Sequence, residues 1–305
     1  EEVMNAGDIR WSLPKLIHHL EDLRVGMSYP NYYISRLASK FVKVCLQGTG
    51  GDELFGGYPW RYYKVFDSLS QEDFFDQYYD FWQRLVPLEE KSELFSKEVL
   101  DQIDLDAPRQ VFERVFTFND KLKYNTPQDH INNSLYFEIK TFLPGLFLVG
   151  DKLAMAHGLE ERFPFMDNDL VNFAMHVPVE HKLGDLTEEI EKIDENLEGN
   201  KKAYREHDDG KNVLRKAMED YIPEQILNRK KQGFSAPDES WYRGENANYV
   251  KEILLHSETL CTKYINKKYI EKIVNEHLNE GINHRLLIWS FLNFEWWCRI
   301  YLNYE

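Results

Sequence analysis

The run Gln47-Gly48-Thr49-Gly50-Gly51-Asp52-Glu53-Leu54-Phe55-Gly56-Gly57-Tyr58 follows a short β-branched stretch, Val42-Lys43-Val44-Cys45-Leu46. Glycine lets backbone N–H groups come close to an anion, and a loop leaving a strand aims those groups at a phosphate. The spacing is not that of a dinucleotide-binding turn, because Glu53 stands where a third glycine is needed. No Lys-Ser or Lys-Thr closes the run, so it is not a Walker loop. Asp52 and Glu53 offer hard oxygen ligands for a Mg²⁺ that bridges nucleotide phosphates. The competing reading is a tight turn in which Asp52 caps a helix.

Two further segments carry charge in a pattern. Asp151 to Asp167 alternates charged and apolar residues and ends in Arg162-Phe163-Pro164-Phe165-Met166-Asp167. On residue chemistry this reads as structural, with Arg162 paired to Glu160 or Asp167 to set the Phe-Pro-Phe turn. His157 has no partner at metal-ligand spacing and no His-Glu-x-x-His occurs, which leaves zinc hydrolysis without support. The third segment joins Gly210-Lys211-Asn212-Val213-Leu214-Arg215-Lys216 to Asn228-Arg229-Lys230-Lys231-Gln232-Gly233-Phe234. Such basic runs are either a solvated face or cations held over a polyphosphate, where they stabilise charge on a leaving pyrophosphate.

The elements that position these segments follow from periodicity. Leu13, Leu16, Ile17, Leu20 and Leu23 predict a helix entered through Ser12, with Pro14 in its first turn. A second helix opens at Pro30 and carries Tyr33, Ile34, Leu37, Ala38 and Phe41 on one face. Helix, strand and glycine loop in that order belong to a parallel α/β sheet, where ligands sit beyond the strand's carboxyl end. Residues 42–46 form the one convincing strand, and a lone strand makes no sheet, so the rest is expected upstream. Beyond residue 60 the pattern is helical, with stretches at about 128–142, 167–176, 211–221, 248–256, 267–280 and 284–303, and an apolar face through Phe74, Phe75, Tyr78, Tyr79 and Trp82. Residues 185–209 hold ten acidic and four basic side chains and read as an insertion, with 198–209 expected to be mobile.

Composition sets the outer bounds. The 305 residues are long enough for a large core, and 7 Trp, 18 Tyr and 19 Phe argue against disorder. A net charge of −15 excludes phosphate-backbone binding as the main activity, so no nucleic-acid partner is expected. Cys45, Cys261 and Cys298 are scattered and odd in number, which fits a reducing, cytoplasmic setting. Leu286 to Tyr301 is interrupted by Asn293, Glu295 and Arg299, so it is a core helix and no membrane partner is expected. The chain opens on Glu1 with no signal segment, and the expectation is that it begins partway through a longer product.

Taken together, the three segments resemble the synthetase domain of glutamine-dependent asparagine synthetases, a branch of the ATP pyrophosphatase family. That family's Ser-Gly-Glu/Asp-Gly-x-Asp-Glu-Leu-Phe-Gly-Gly-Tyr loop stands here as Gln47 to Tyr58. Its Asp-Arg/Lys-x-x-Met-x-x-x-Leu-Glu-x-Arg-x-Pro-Phe-Leu-Asp segment matches Asp151 to Asp167. Gly-Lys-x-x-Leu-Arg and Arg-x-Lys-x-Gly-Phe match Gly210 to Arg215 and Arg229 to Phe234.

The resemblance implies an α/β fold. Residues 1–60 would be the end of an adenine nucleotide alpha hydrolase-like parallel sheet, and residues 61–305 a mainly helical part carrying the acidic insertion. It implies ATP and Mg²⁺ as cofactors, aspartate and ammonia from glutamine as substrates, and an N-terminal glutaminase domain in the complete product, with a homodimer as the assembly to consider. Gln47, Gly48, Gly50, Gly51 and Asp52 would meet the nucleotide, Asp52 would hold the metal, and Lys211, Lys231 and Thr49 would serve catalysis. Two departures stand out: the family's Ser is Gln47, and its acidic residue two positions on is Thr49, which cannot act as a base near neutral pH. The family's Ser-Gly-Gly-x-Asp-Ser pyrophosphate loop occurs nowhere in the sequence. An amide-forming cyclase of β-lactam synthetase or lasso-peptide cyclase type, or a non-catalytic module that keeps the fold, are the alternatives.

Overall fold

The computed structural model describes residues 3–23, 28–83, 85–184, 210–229, 242–256 and 258–302. The acidic stretch 185–209, including the 198–209 segment, and Lys231 lie outside the described residues. In chain order the main elements begin with α1 (Ile9–Leu20), α2 (Ser28–Ala38), β1 (Val44–Leu46), the short α3 (Gly51–Phe55) and α4 (Gln71–Trp82). They continue with α5 (Ala107–Thr117), α6 (Pro127–Lys140), α7 (Phe142–Met155), β2 (Glu160–Arg162) and α8 (Asn168–His176). The last four are α9 (Asn212–Met218), α10 (Ala247–Leu254), α11 (Lys267–Asn279) and α12 (Arg285–Tyr301). The fold is mixed α/β, mostly helical, with a small parallel sheet. Among the described residues no helix is long and apolar enough to cross a membrane.

Helix α1 buries Ile9, Leu13, Leu16, Ile17 and Leu20 on one stripe, the spacing of a helix that faces a core on one side only. It starts before Ser12. The Ser12 hydroxyl donates back to the Asp8 carbonyl at 2.8 Å, so Ser12 is an interior residue and Pro14 lies past the first turn. In α2 the buried face is aromatic, with Tyr29, Tyr32 and Tyr33 inside. Ile34 and Phe41, expected on that face, are 46% and 78% exposed. The tyrosine rings supply more apolar area than the aliphatic stripe, and Tyr29 and Tyr33 pack at 4.9 Å. These two helices close on α7 and α12 through Val149, Leu153, Ile288 and Leu292, all in the largest core cluster.

Strand β1 finds a partner that sequence reading missed. It pairs in parallel with β2, in the register Val44 with Glu160, Cys45 with Glu161 and Leu46 with Arg162. A Glu-Glu-Arg tripeptide has neither alternation nor β-branched residues, so nothing in its composition announces a strand. Val44 and Leu46 are 51% and 74% exposed, an unusual state for a parallel strand, whose faces are normally both covered.

A second core is almost entirely aromatic. Helix α4, capped by the Ser70 side chain on the Asp73 N–H, packs Phe74, Phe75, Tyr78 and Tyr79 against Phe112 and Phe116 of α5 and Phe137 of α6. Helix α6 is entered through a reciprocal cap between Thr126 and Asp129 with Pro127 at its first position. Phe74 is fully buried, and the rings of Tyr78, Phe116 and Tyr124 each lie 5.5 Å from its own. Phe74→Ala removes the centre of this cluster and is expected to cost about 3–5 kcal/mol. Urea unfolding of the variant measures it, and a loss below ~1 kcal/mol means the cluster collapses around the gap.

Candidate active site

The loop at 47–58 leaves the carboxyl end of β1, and the Gln47 N–H extends the ladder by donating to the Arg162 carbonyl at 2.8 Å. Gly50 turns the chain with φ of 100° and serves as the N-cap of α3. A side chain there would be strained by that angle and would collide with the Met166 methyl group. The Phe163-Pro164-Phe165 turn therefore sits directly against the loop, and Phe165 and Met166 pack with Leu54 and Phe55. Arg162 pairs with Glu160 at 2.6 Å, as one of the two expected partners, but Asp167 does something else. Its carboxylate caps α8, accepting from the Asp169 and Leu170 N–H groups at 3.0 and 3.2 Å.

Asp52 is not a helix cap. It lies in the first turn of α3, and its Oδ1 pairs with the Lys211 ammonium at 2.7 Å. Gly57 makes room for this, because a Cβ at that position would overlap the Asp52 carboxylate. Lys211 is the N-cap of α9 and holds φ of 63°, a left-handed conformation that costs a residue with a Cβ about 1–2 kcal/mol. Two bonds over-determine it. The Lys211 N–H donates to the Phe55 carbonyl at 3.0 Å, and Arg215 donates from Nε to the Gly210 carbonyl at 3.1 Å. Backbone strain held in place by the surrounding structure is common where a side chain must be aimed. Here it aims Lys211 at the loop.

Of the other expected site residues, Gln47 turns sideways. Its Nε2 donates to Glu161 Oε1 at 2.5 Å. Glu161 is 8% exposed, its Oε2 has no hydrogen-bond partner among the described residues, and burial raises its pKa against the pull of Gln47. Gly48 is exposed with open space where a Cβ would stand, so the fold itself makes no demand for glycine there. Thr49 is half-buried at the turn, and Gly51 opens α3 beneath the Phe165 ring. The structure thus joins Gly50, Gly51, Asp52 and Lys211, and gives Gln47 to Glu161; Lys231 is outside the described residues.

Below the loop lies a buried polar group that sequence reading missed. Glu138 of α6 is fully buried and receives Arg61 Nη1 at 3.4 Å, with the Tyr62 and Tyr78 hydroxyls at 3.4 and 3.5 Å. The Arg61 guanidinium stacks on Tyr58 at 3.9 Å, and the Tyr58 hydroxyl donates to Glu53 Oε1 at 3.2 Å. Loop, one-turn helix Pro59–Tyr62 and α6 are therefore tied by one set of polar contacts. A signal existed. Glu138 falls on the buried stripe Ile131, Ser134, Leu135, where an acid at a core position asks for a cation.

The residues fit Mg²⁺ in one specific way. Among the described residues no group of three or more His, Cys, Asp or Glu side chains converges to hold a metal. Asp52 alone is a sufficient protein ligand only where substrate phosphates supply the rest, which is the usual manner for Mg²⁺.

A glycine loop at the carboxyl end of a parallel strand, with an Asp–Lys pair beside it, marks a mixed α/β protein and its candidate site. The comparisons specify it further. The asparagine synthase family model matches residues 1–299, and the chain belongs to that family. It is 29% identical to asparagine synthetase [glutamine-hydrolyzing] 1 of Bacillus subtilis, over 97% of this chain and 46% of that protein. It is 24% identical to a putative asparagine synthetase [glutamine-hydrolyzing] of Mycobacterium tuberculosis, over all of this chain and 46% of that protein. Amidase chry2 of Gibberella zeae is more distant, 23% identical over 81% of this chain. The chain spans about half the length of the synthetases it matches.

Burial pushes the Glu138 pKa up to about 7 from its ordinary 4.5, against the pull of Arg61. The folded protein binds this proton more tightly than the unfolded chain does. Its contribution is full below pH 4.5 and is lost as pH rises through about 7. Glu138→Gln, which stays neutral, should therefore gain stability relative to wild type as pH climbs across that window. Urea midpoints at several pH values measure the difference, and parallel curves for the two proteins would contradict the assignment.

Proposed function

We propose that the chain is the synthetase part of an ATP-dependent amide ligase of asparagine synthetase type. It adenylates the side-chain carboxylate of aspartate, releases pyrophosphate, and forms asparagine as ammonia displaces AMP. The observation that carries this reading is the Asp52–Lys211 pair at 2.7 Å, held by a strained cap at the end of a parallel strand. Neither step needs a protein nucleophile, so a site of backbone donors, one carboxylate and fixed cations suits the chemistry.

In this reading the N–H groups of Gly48, Thr49 and Gly50 face the nucleotide beside Gly51, whose own N–H closes the turn on the Gly48 carbonyl at 3.3 Å, and the open space at Gly48 admits close approach. Asp52 would hold Mg²⁺, which would neutralise charge on the pyrophosphate. Lys211 and Lys231 meet the phosphates, Thr49 orients the reacting groups by hydrogen bonding, and Gln47 keeps the loop's first residue on β2 through Glu161. Residues 1–60 then belong to the nucleotide-binding α/β unit and 61–305 to the helical part. The exposed Val44 and Leu46 support further sheet beyond β1, and the length of the relatives supports a glutaminase domain supplying ammonia.

The complete protein given Mg²⁺, ATP, aspartate and glutamine should release pyrophosphate and form asparagine. Lys211→Met should lower pyrophosphate release about 100-fold or more. Its stability should fall by less than about 1 kcal/mol, because the pair is partly solvated. Lys231→Ala should abolish release in the same assay. Wild-type protein that makes no aspartate-dependent pyrophosphate would overturn the reading, and near-normal turnover in Lys211→Met would move the phosphate contact elsewhere.

A further inference from the structure

Glu161 is the middle residue of β2, set opposite Cys45 by the parallel register. Its side chain does two things at once. Oε1 accepts from Gln47 Nε2 at 2.5 Å, reaching the first residue of the glycine loop, and the carboxylate rests against α7. The seat in α7 is Gly150, a buried glycine in the interior of a helix, where glycine is a poor helix former. What it provides is room, because a Cβ there would lie 2.6 Å from Glu161 Oε2. Three elements therefore meet at one buried carboxylate, which stands at an open position of the Leu-Glu-x-Arg pattern.

The contact falls where the sheet gives the loop least support. The strands pair over three residues each, and the Gln47 N–H on the Arg162 carbonyl at 2.8 Å is the last rung before the chain turns. Beyond that rung the loop has no slack on its other wall. A Cβ at Gly50 would collide with Met166, and one at Gly51 would lie 3.1 Å from the Phe165 ring. A side-chain bond beside the last rung adds a second hold on Gln47, and a hydrogen bond away from water is stronger than an exposed one. Backbone donors can be aimed only if the first residue of their loop is fixed, and a displacement of about 1 Å in a site can cost about 100-fold in rate.

We propose that Glu161 is a positioning residue of the candidate site: seated by Gly150, it holds Gln47 and through it the loop's backbone donors. The kinetic consequence rests on the ligase reading above, and the hold on the loop does not.

Hydrogen exchange and steady-state kinetics of the full-length protein test it together. In Glu161→Ala the Gln47 and Gly51 amides should exchange about 10-fold faster or more, while those of Leu16 and Ile17 in α1 keep wild-type rates. The KM for ATP should rise about 10-fold with the KM for aspartate within about 2-fold, a split that loss of folded protein does not produce. Glu161→Gln keeps an oxygen for Gln47 and should stay within about 3-fold of wild type on both readouts. Gly150→Ala favours the helix yet pushes Glu161 aside, so it should reproduce Glu161→Ala and add nothing when combined with it. Unchanged loop exchange or an unchanged ATP KM in Glu161→Ala, equal damage by Glu161→Gln, or a Gly150→Ala effect that persists without Glu161 overturns the proposal. So does faster exchange that spreads to α1. If wild-type protein releases no aspartate-dependent pyrophosphate while the exchange pattern appears, the ligase reading falls and the hold of Glu161 on the loop stands. Pyrophosphate release with a loop unmoved by Glu161→Ala overturns the positioning role alone.

Discussion

Three residues on each side make the parallel pair of Val44–Leu46 with Glu160–Arg162, and both walls of the site hang from its carboxyl end. The glycine loop leaves one strand and the Phe163-Pro164-Phe165 turn leaves the other, so their contact at Gly50 and Met166 is fixed by register. A slip of one residue would turn every side chain of β1 to the opposite face and separate them. So short a pair is not stable alone. It is held from beneath by α7, where Gly150 leaves space for Glu161, whose Oε2 would lie 2.6 Å from a Cβ there. Glu161 in turn holds Gln47. The residue that departs from the family's serine and the acid opposite it are thus one interaction, which gives Gln47 a structural reason that the loop sequence alone does not contain.

Charge is arranged around the loop with little regard to the net −15 of the chain. Of two buried carboxyls near the loop, Glu138 pairs with the buried Arg61 guanidinium and Glu53 accepts from the hydroxyl of Tyr58, whose ring stacks on that guanidinium, and burial raises the pKa of both. Removing one member of a buried pair typically costs about 3–5 kcal/mol, whereas the pair as a whole gains little over apolar packing. Such a group is better understood as fixing geometry than as adding stability. It fixes Tyr58, the last residue of the loop, to α6. On the other side Lys211 and Arg215 tie α9 to Phe55 and Gly210. Both ends of the loop's helical turn are clamped from different elements.

The order of the three charged segments, the loop and most helices were legible in the sequence because each depends on local chemistry: glycine spacing and a 3.6-residue stripe. What was not legible depends on partners distant in the chain. Strand β2 is a strand only because β1 lies beside it; Glu160 and Arg162 pair with each other, and Glu161 between them is buried against Gly150. Ser12 reads as a cap until Asp8 is seen to start the helix and accept its hydroxyl. Asp52 is a good capping residue by type, yet a lysine 159 positions later claims it. Glu161 carries no motif at all, and only the register against Cys45 brings it to Gln47.

The strained cap at Lys211 bears on how the site can work. A left-handed residue without glycine persists only when its neighbours hold it, and here the holders are the Phe55 carbonyl, the turn of α9 and Asp52 itself. In the proposed ligase reading, an anion at the loop would take the Lys211 ammonium from Asp52 and leave that carboxylate to hold Mg²⁺. The two exchanges would compensate, each partner losing one opposite charge and gaining another with the backbone already in place. The cost of orienting Lys211 would then be met in folding and not at the moment of reaction. The same logic explains why the pair sits partly exposed and not buried. A fully desolvated Asp–Lys pair would be too costly to open, and a fully solvated one would not hold the lysine in line.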